Sequence, residues 1–426
     1  MKFDRPSPAR ICILTPGHVG SNPRVVKEAQ ALHEHGFDVT VIATRTLDIV
    51  EPRDQSIMRR IPWHLERLDL RSRWRWRLNR AIQVAHRRAY ITTGNPRLAD
   101  LGISAFTRPV MAAALQTSAD LYIAHYPAAL PVAAAAARRH RGRYAYDAED
   151  FHLGDWYERP EFDIERRWVR LIEEKYLPGC AHVTAASPGI ADAYHAAYGI
   201  ERPDVVLNAF PLTQAPPGPT SRGTIDPGPS LYWFSQAIGP NRGLLSAVRA
   251  IGLSKARPHL YLRGTPVAGF VDRLQAMAAA YGVADRLHIL PPDEPDEMER
   301  LAAEYDVGLV AENGQPSGRA IALANKLFTF LIAGIPAIMS DTPAHRAFAD
   351  EAGLKAYLYP VDDAEALAAN IDHLLDDPAR LAAARAQAFR LGRERYNWET
   401  EKDKLLATVA RSFEPTPEKT RYVLSA

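Results

Sequence analysis

Cysteine is nearly missing from this chain. Among 426 residues only Cys12 and Cys180 occur, and Cys12 lies inside an apolar run that reads as a strand. Two thiols do not build a disulfide framework, so the scarcity excludes a small disulfide-stapled scaffold and fits a reducing compartment. Long apolar runs are missing too, since no uninterrupted stretch reaches the ~20 residues needed to span a bilayer as a helix. The opening MKFDRPSPARICILTPG holds too short an apolar run for a secretion signal. Neither sign of charge is in excess: 52 Lys and Arg against 50 Asp and Glu leave a net charge of +2. That balance argues against a surface that seeks nucleic acid globally. The expectation is a soluble, cytoplasmic protein whose length exceeds one hydrophobic core and points to two large domains.

What is present is a recurring strand, loop and helix. Ile11 to Thr15 reads as a buried strand, Pro16 to Pro23 as a loop, and Arg24 to His35 as an amphipathic helix with Val25, Ala29 and Leu32 on one face. Gly36 closes that helix and Val39 to Ala43 forms the next strand, which completes a β-α-β unit. The loop is not GxGxxG, and no acid stands after the second strand, where Thr44 and Arg45 sit. Both absences disfavour a nicotinamide-dinucleotide site. Gly17 and Gly20, with His18 between them, allow close backbone approach to a ligand; a tight turn explains them equally.

His125 directly follows the strand Leu121 to Ala124. A histidine just past the carboxyl end of a parallel strand points into the ligand crevice, where it can serve as a catalytic or sugar-contacting group. The alternative is a packed or capping histidine. The strand Tyr144 to Tyr146 runs into Asp147-Ala148-Glu149-Asp150-Phe151-His152, and the strand His182 to Ala186 into Ser187. His18, Asp147, Glu149 and Ser187 are the further candidate ligand contacts, although part of the acidic loop also suits a helix cap.

Gln214 to Ser230 carries five prolines and reads as a linker. It divides the chain into a first domain at 1–212, a linker at 213–230, a second domain at 231–395, a closing helix at 396–412 and a tail at 413–426. The second domain starts with the strand Leu231 to Phe234, a loop holding Gln236 and Arg242, and a helix from Leu244 to Ile251. Leu260 to Leu262 exits through Arg263-Gly264-Thr265, and His288 to Leu290 continues the sheet. Asp306 to Asp341 reads as strand, loop, helix and strand, with the helix from Ala322 to Ile332 ended by Gly334. Asn325 and Lys326 fall at that helix's opening, where free N–H groups and the macrodipole favour an anion. Arg242, Arg263 and Lys326 all follow strand ends on one rim. Singly each is an ordinary surface charge; together they favour a diphosphate. No DxD-like acidic pair stands at a strand exit of this domain, so no metal is expected.

Arg71 to Arg88 is the compositional anomaly, with seven arginines, two tryptophans and no acid. As a helix it places Trp74, Leu78, Ile82 and Ala85 on one face with arginines around them. Arg71, Arg73, Trp74, Arg75, Trp76 and Arg77 suit an anionic membrane surface. A solvated basic helix packed on the core by its Trp face is the rival reading. Nucleic acid is disfavoured, because the chain has no readout module.

With SNPRVVKEAQALHEHGFDVTVIA, LYIAHYPAALP, SPGIADAYHAAYGIERPDVVLNAFP, FSQAIGPNRGL, ANKLFTFLIAGIPAIMSDTPAHRAF and YNWETEKDKLL in view, the chain resembles the retaining GT-B glycosyltransferases of family 4. The resemblance implies an α/β fold of two Rossmann-like domains facing a cleft, with a last helix crossing back. It also implies a nucleotide-sugar co-substrate, UDP- or GDP-linked, on the second domain and a glycan, lipid-linked or small-molecule acceptor on the first. No further cofactor is implied. Gly17 and Gly20 match the loop near the donor phosphates, His125 the active-site histidine, Arg242 the residue gripping the diphosphate, and Asn325 and Lys326 an Asn-Lys pair of some members. The chain departs from the family at three places. The two glutamates eight positions apart are Ile321 and Thr329 here, and the other phosphate-binding arginine is Gln236. A nucleotide-sugar epimerase of the same fold and a non-catalytic sugar-nucleotide-binding homologue remain as rival functions.

Overall fold

The computed structural model describes residues 8–96 and 98–414; the expected tail lies outside them from residue 415 onward. The chain forms two compact units. One holds the residues up to Asp147, Arg170–Thr184 and those from Lys402; the other holds Ala148–Val169 and Ala185–Glu401.

Seven strands make the first sheet: β1 (Arg10–Leu14), β2 (Asp38–Arg45), β3 (His64–Asp69), β4 (Leu121–His125), β5 (Arg143–Ala148), β6 (Val183–Ala185) and β7 (Asp204–Val205), in the order β3-β2-β1-β4-β5-β6-β7. β1 pairs in parallel with β2 and with β4, and β4 with β5. A parallel strand covered on both faces needs apolar residues without alternation. Ile11 to Leu14 supply them, each at most 1 % exposed. The crossover after β1 is the Pro23–Glu34 helix, whose first turn is fixed twice: Pro23 sets φ at the start, and the Asn22 side chain accepts a hydrogen bond from the Val25 N–H. The strand order reverses between β1 and β4, and ligands in such sheets bind outside the strands' carboxyl ends at that reversal. The Thr15 loop and His125 stand there.

The second sheet holds β8 (Ser230–Ile238), β9 (His259–Pro266), β10 (Leu287–Leu290), β11 (Val307–Val310), β12 (Ala337–Ser340) and β13 (Leu358–Tyr359), in the order β10-β9-β8-β11-β12-β13. Its reversal lies between β8 and β11. The loops leaving those two strands therefore frame the candidate ligand position in this unit. Leu231, Trp233, Leu260, Leu262, Val307, Leu309 and Ile338 build the core there, all at most 1 % exposed. The Asn325–Ala333 helix packs so closely on β11 that a Cβ at Gly308 would lie 2.4 Å from the Phe330 ring. Only glycine fits.

Two strands run further than the sequence reading placed them: β8 continues to Ile238 and β9 to Pro266, so Gln236, Arg263 and Gly264 lie within strands. The helix expected from Ala322 starts at Asn325, because Gly318–Ile321 forms a short helix of its own and Ala322 is extended. β3, β7 and β13 were not anticipated. The two-residue β7 and β13 are too short to show periodicity, and β3 reads HLERLD without an apolar run. The proline-rich segment is tied down within its unit. Gly223 N–H donates to Asp306 Oδ1 at 2.7 Å, and Thr224 and Ile225 N–H donate to the Glu304 carbonyl.

Candidate functional site

In the first unit, His125 is the centre of a buried charge network. Parallel pairing sets His125 of β4 directly beside Asp147 of β5. One turn of the Pro23–Glu34 helix separates Arg24 from Glu28, so both present side chains on the same face. His125 Nε2 lies 2.6 Å from Glu28 Oε2, and its Nδ1 lies 3.4 Å from Asp147 Oδ2. Arg24 grips Asp147 with two donors at 2.5 and 2.7 Å, and the Thr184 hydroxyl donates to the same carboxylate. All four ionisable side chains are at most 4 % exposed, and that of His125 not at all. Burial raises the Asp147 carboxyl, but Arg24, His125 and Thr184 outweigh it and bring it to about 2. Burial also raises Glu28; there His125 offsets only part, and the carboxyl stays above its ordinary value. The next residue, Tyr126, has φ 68° and ψ 149°, a backbone region that is costly for anything but glycine.

Glu28, His125 and Asp147 are also the one trio of metal-ligating types within reach of one another among the described residues. Their lone pairs are spent otherwise. Arg24 already holds Asp147 bidentately and Glu28 holds the imidazole, so the arrangement fits an internal ion network better than a cation. The expected contact between His125 and a substrate finds no exposed imidazole surface here.

The Thr15 loop divides. Gly17 is open, with Thr15 Oγ1 at 3.9 Å the nearest atom to an added Cβ. Gly20 is not, since a Cβ there would meet Arg53 and Asp54 at 2.9 Å and its N–H donates to Asp54 Oδ1. Gly20 is a packing glycine. His18 is fully engaged: Nε2 accepts from the Thr46 and Leu47 N–H groups at 2.8 and 2.9 Å, which places the proton on Nδ1 for Asp54 at 2.8 Å.

In the second unit, two of the three expected cations come together. Lys326 Nζ donates to Glu312 Oε1 at 2.8 Å, and Arg242 Nη1 lies 3.3 Å from the same oxygen. Glu312 opens the loop after β11 and Arg242 the loop before the Leu244–Leu253 helix, so both belong to the strand reversal. Lys326 is 6 % and Glu312 7 % exposed at the side chain; Arg242, at 29 %, keeps access to solvent. Burial raises the Glu312 carboxyl, yet Lys326, Arg242 and Arg319 reverse that and hold it at about 2. Asn325 is exposed as the first residue of its helix. Sequence reasoning missed Glu312 altogether. Its only signal is an acid directly beyond the end of a buried strand.

The other donor candidates lie elsewhere. Arg263 does not join Lys326: its Nε donates to the Tyr232 hydroxyl, and its Nη1 reaches the Pro291 carbonyl and Asp293. Alternation along β9 decides this, because side chains two apart share a face and their neighbours do not. Gly264 (φ 153°) is demanded by packing, with the Ser235 carbonyl oxygen 2.4 Å from an added Cβ. Gln236 is exposed where β8 shifts register against β9. Thr329 is fully buried and donates to Glu299 Oε1 at 2.8 Å. Ser187 caps its helix by accepting from Ile190 N–H and donates to the Ile321 carbonyl. Glu149 is half-buried just past β5.

The basic segment forms the Arg73–Thr93 helix with its polarity inverted. Asn79 and Gln83 are buried, and Gln83 and Arg87 donate to the Gly102 and Ile103 carbonyls. Trp74 (64 %), Trp76 (40 %), Leu78 (45 %) and Ile91 (55 %) face outward. Trp76 also packs its ring on Phe106, with centroids 5.3 Å apart. Arg73, Arg75 and Arg77 are exposed beside them, whereas Arg71 is bound to Asp48 and Asp69.

Residues 19–210 match the model of the "Glycosyl transferase 4-like domain". That match covers a little under half of the chain. The chain is similar to D-inositol 3-phosphate glycosyltransferase from Rhodococcus opacus (strain B4), 29 % identical over 233 residues that make up 49 % of this chain and 48 % of that protein. The chain thus spans about half the length of the curated relatives it matches. Among solved structures, HepE from Anabaena in complex with UDP and glucose superposes with a TM-score of 0.67 at 16 % identity, covering 94 % of this chain and 99 % of that one. Sucrose-phosphate synthase from Thermosynechococcus elongatus superposes with a TM-score of 0.71 at 14 % identity, covering 95 % and 99 %. The fold is GT-B. The matched residues 19–210 include the Arg24–Glu28–His125–Asp147 network; Lys326, Glu312 and Arg242 lie beyond them.

Proposed function

We propose that the protein is a glycosyltransferase that moves a sugar from a UDP- or GDP-linked donor to a glycan, lipid-linked or small-molecule acceptor, with retention and without a metal ion. The observation that carries this is the pairing of Lys326 and Arg242 on one carboxylate at the strand reversal of the second sheet, beside the opening of a helix. Two cations and free backbone N–H groups suit a nucleoside diphosphate, and they neutralise its charge as it leaves. Stabilising that leaving group is the largest catalytic contribution available here, and the departing phosphate assists deprotonation of the acceptor. His125 acts through its neighbours: it balances Glu28 and Asp147 and fixes the end of β4, at the other sheet's reversal. The UDP bound in HepE supports the same class of donor.

For the acceptor, the outward tryptophans among arginines support a lipid-linked glycan presented at an anionic membrane. The protein then sits on the inner face of the membrane from the cytoplasmic side. Each arginine near such a surface contributes about 1 kcal/mol of attraction. Among the described residues no helix is long and apolar enough to cross a membrane.

Calorimetric titration with UDP and GDP tests the central claim. The wild type binds at least one, and Lys326→Ala and Arg242→Ala each weaken it at least tenfold. Failure of the wild type to bind either nucleotide sinks the reading. Incubation with donor alone distinguishes the rivals: an isomerised sugar identifies an epimerase, and binding without transfer to any acceptor identifies a non-catalytic homologue.

A further inference from the structure

Lys326 is a buried ammonium that the protein surrounds chiefly with positive charge. Arg242 approaches from the loop before the Leu244–Leu253 helix and Arg319 from the Gly318–Ile321 helix. His345 on the Pro343–Ala352 helix senses the ammonium too, and its Nε2 is buried without a hydrogen-bond partner. The Trp233 ring of β8 lies 5.5 Å from Nζ. That ring face attracts the ammonium, and against the two arginines stands one bonded carboxylate, Glu312 at 2.8 Å, itself buried and held by its backbone N–H to Ser340 Oγ at 2.9 Å. Burial lowers the Lys326 ammonium from its ordinary value, Arg242 and Arg319 lower it further, and Glu312 opposes all three.

We propose that Glu312 is the counterion that keeps Lys326 protonated before an anion binds, and so is a positioning residue for the lysine that receives the ligand. The proposal rests on the reading of Lys326 and Arg242 as a diphosphate seat. An anion-binding lysine has to be charged before its ligand arrives, and in water-poor surroundings a hydrogen-bonded negative group is the strongest means of holding it so. Glu312 is placed to do this because β11 ends against the same helix opening from which Lys326 rises. The Glu312 carboxylate and the ligand then compete for the same cations, so Glu312 also limits how tightly the site holds its product.

Glu312→Gln keeps the shape and removes the charge. Lys326 then faces Arg242, Arg319 and burial without its counterion, and it sheds its proton at a lower pH than in the wild type. Binding of UDP or inorganic pyrophosphate must now restore that proton, so affinity falls about tenfold per pH unit above the new pKa. Calorimetry from pH 6 to 9 is expected to give a steeper loss of affinity with rising pH for Glu312→Gln than for the wild type. Adding Lys326→Arg to that variant flattens the profile again, because a guanidinium stays charged throughout this range. A purely structural glutamate would change affinity without changing its slope.

A second measurement needs no ligand. A buried lysine with a lowered pKa destabilises most where it is forced to be protonated, so stability recovers as pH rises. The melting-temperature gap between wild type and Glu312→Gln therefore narrows from pH 6 to 9, and the gap for Glu312→Gln with Lys326→Arg does not. A binding profile no steeper in Glu312→Gln than in the wild type, or a gap that is constant with pH, overturns the proposal. If the wild type binds neither UDP nor pyrophosphate, the nucleotide reading falls instead, and the melting series still decides the role of Glu312.

Discussion

His125→Ala has a consequence whose size and pH dependence follow from its neighbours. The substitution deletes the imidazole 2.6 Å from the Glu28 carboxylate, in a place where both side chains are at most 4 % exposed. Removing one partner of a buried ion pair typically costs about 3–5 kcal/mol. Here the electrical part has a ceiling, because Glu28 escapes by taking a proton. From its ordinary value of 4.5, protonation at pH 7 costs about 1.36 × (7 − 4.5) ≈ 3.4 kcal/mol, and at pH 5 about 0.7 kcal/mol. A carboxyl held above its ordinary value costs stability increasingly as pH rises, since the unfolded chain releases the proton first. The variant should therefore lose up to about 2.7 kcal/mol more at pH 7 than at pH 5, on top of a pH-independent cavity cost. Urea unfolding of wild type and variant at the two pH values measures this. Adding Glu28→Gln should return the pH-dependent part, because a neutral amide has no proton to gain. An equal loss at both pH values, or reduced turnover with no loss of stability, refutes the reasoning and returns His125 to direct contact with substrate.

Three more outcomes follow from the same geometry. Reversing Arg73, Arg75 and Arg77 to Glu should abolish flotation with vesicles rich in anionic lipid while far-UV dichroism stays unchanged; Trp74→Ser should weaken flotation on its own, and undiminished flotation in both removes the membrane role. Gly264→Ala should lower the melting temperature by several degrees, since its φ of 153° and the Ser235 oxygen 2.4 Å from the new Cβ leave no relaxed conformation; an unchanged melting curve would show that β9 accommodates the methyl. Transfer activity should survive excess EDTA, and its loss, restored by Mg2+ or Mn2+, would replace the two-cation scheme by a metal-assisted one.

The element types were legible because they depend on local pattern. Ile11 to Leu14 and Val307 to Val310 announce strands covered on both faces, and Asn22-Pro23 and Gly334 mark helix ends by their own stereochemistry. The cation site was half legible. Arg242 and Lys326 were found by their positions after strands, but Arg263 was grouped with them on the same ground and turned away. Arg24 and Glu28 were passed over since charged residues on an amphipathic helix normally face water. Their spacing of four was the available sign, and it acquires meaning only once β4 and β5 place His125 and Asp147 opposite them.

The sequence by itself determined two series of parallel strands with helical crossovers and an unusual basic helix, since these follow from periodicity, caps and composition. Only the tertiary structure decided which charges meet. Glu312 with Lys326 and Arg242, Glu28 with His125, Thr329 with Glu299, and the outward turn of Trp74 and Trp76 all join residues from separate elements or set a helix's rotation. Such pairings depend on strand order and register, where a shift of one residue sends a side chain to the opposite face.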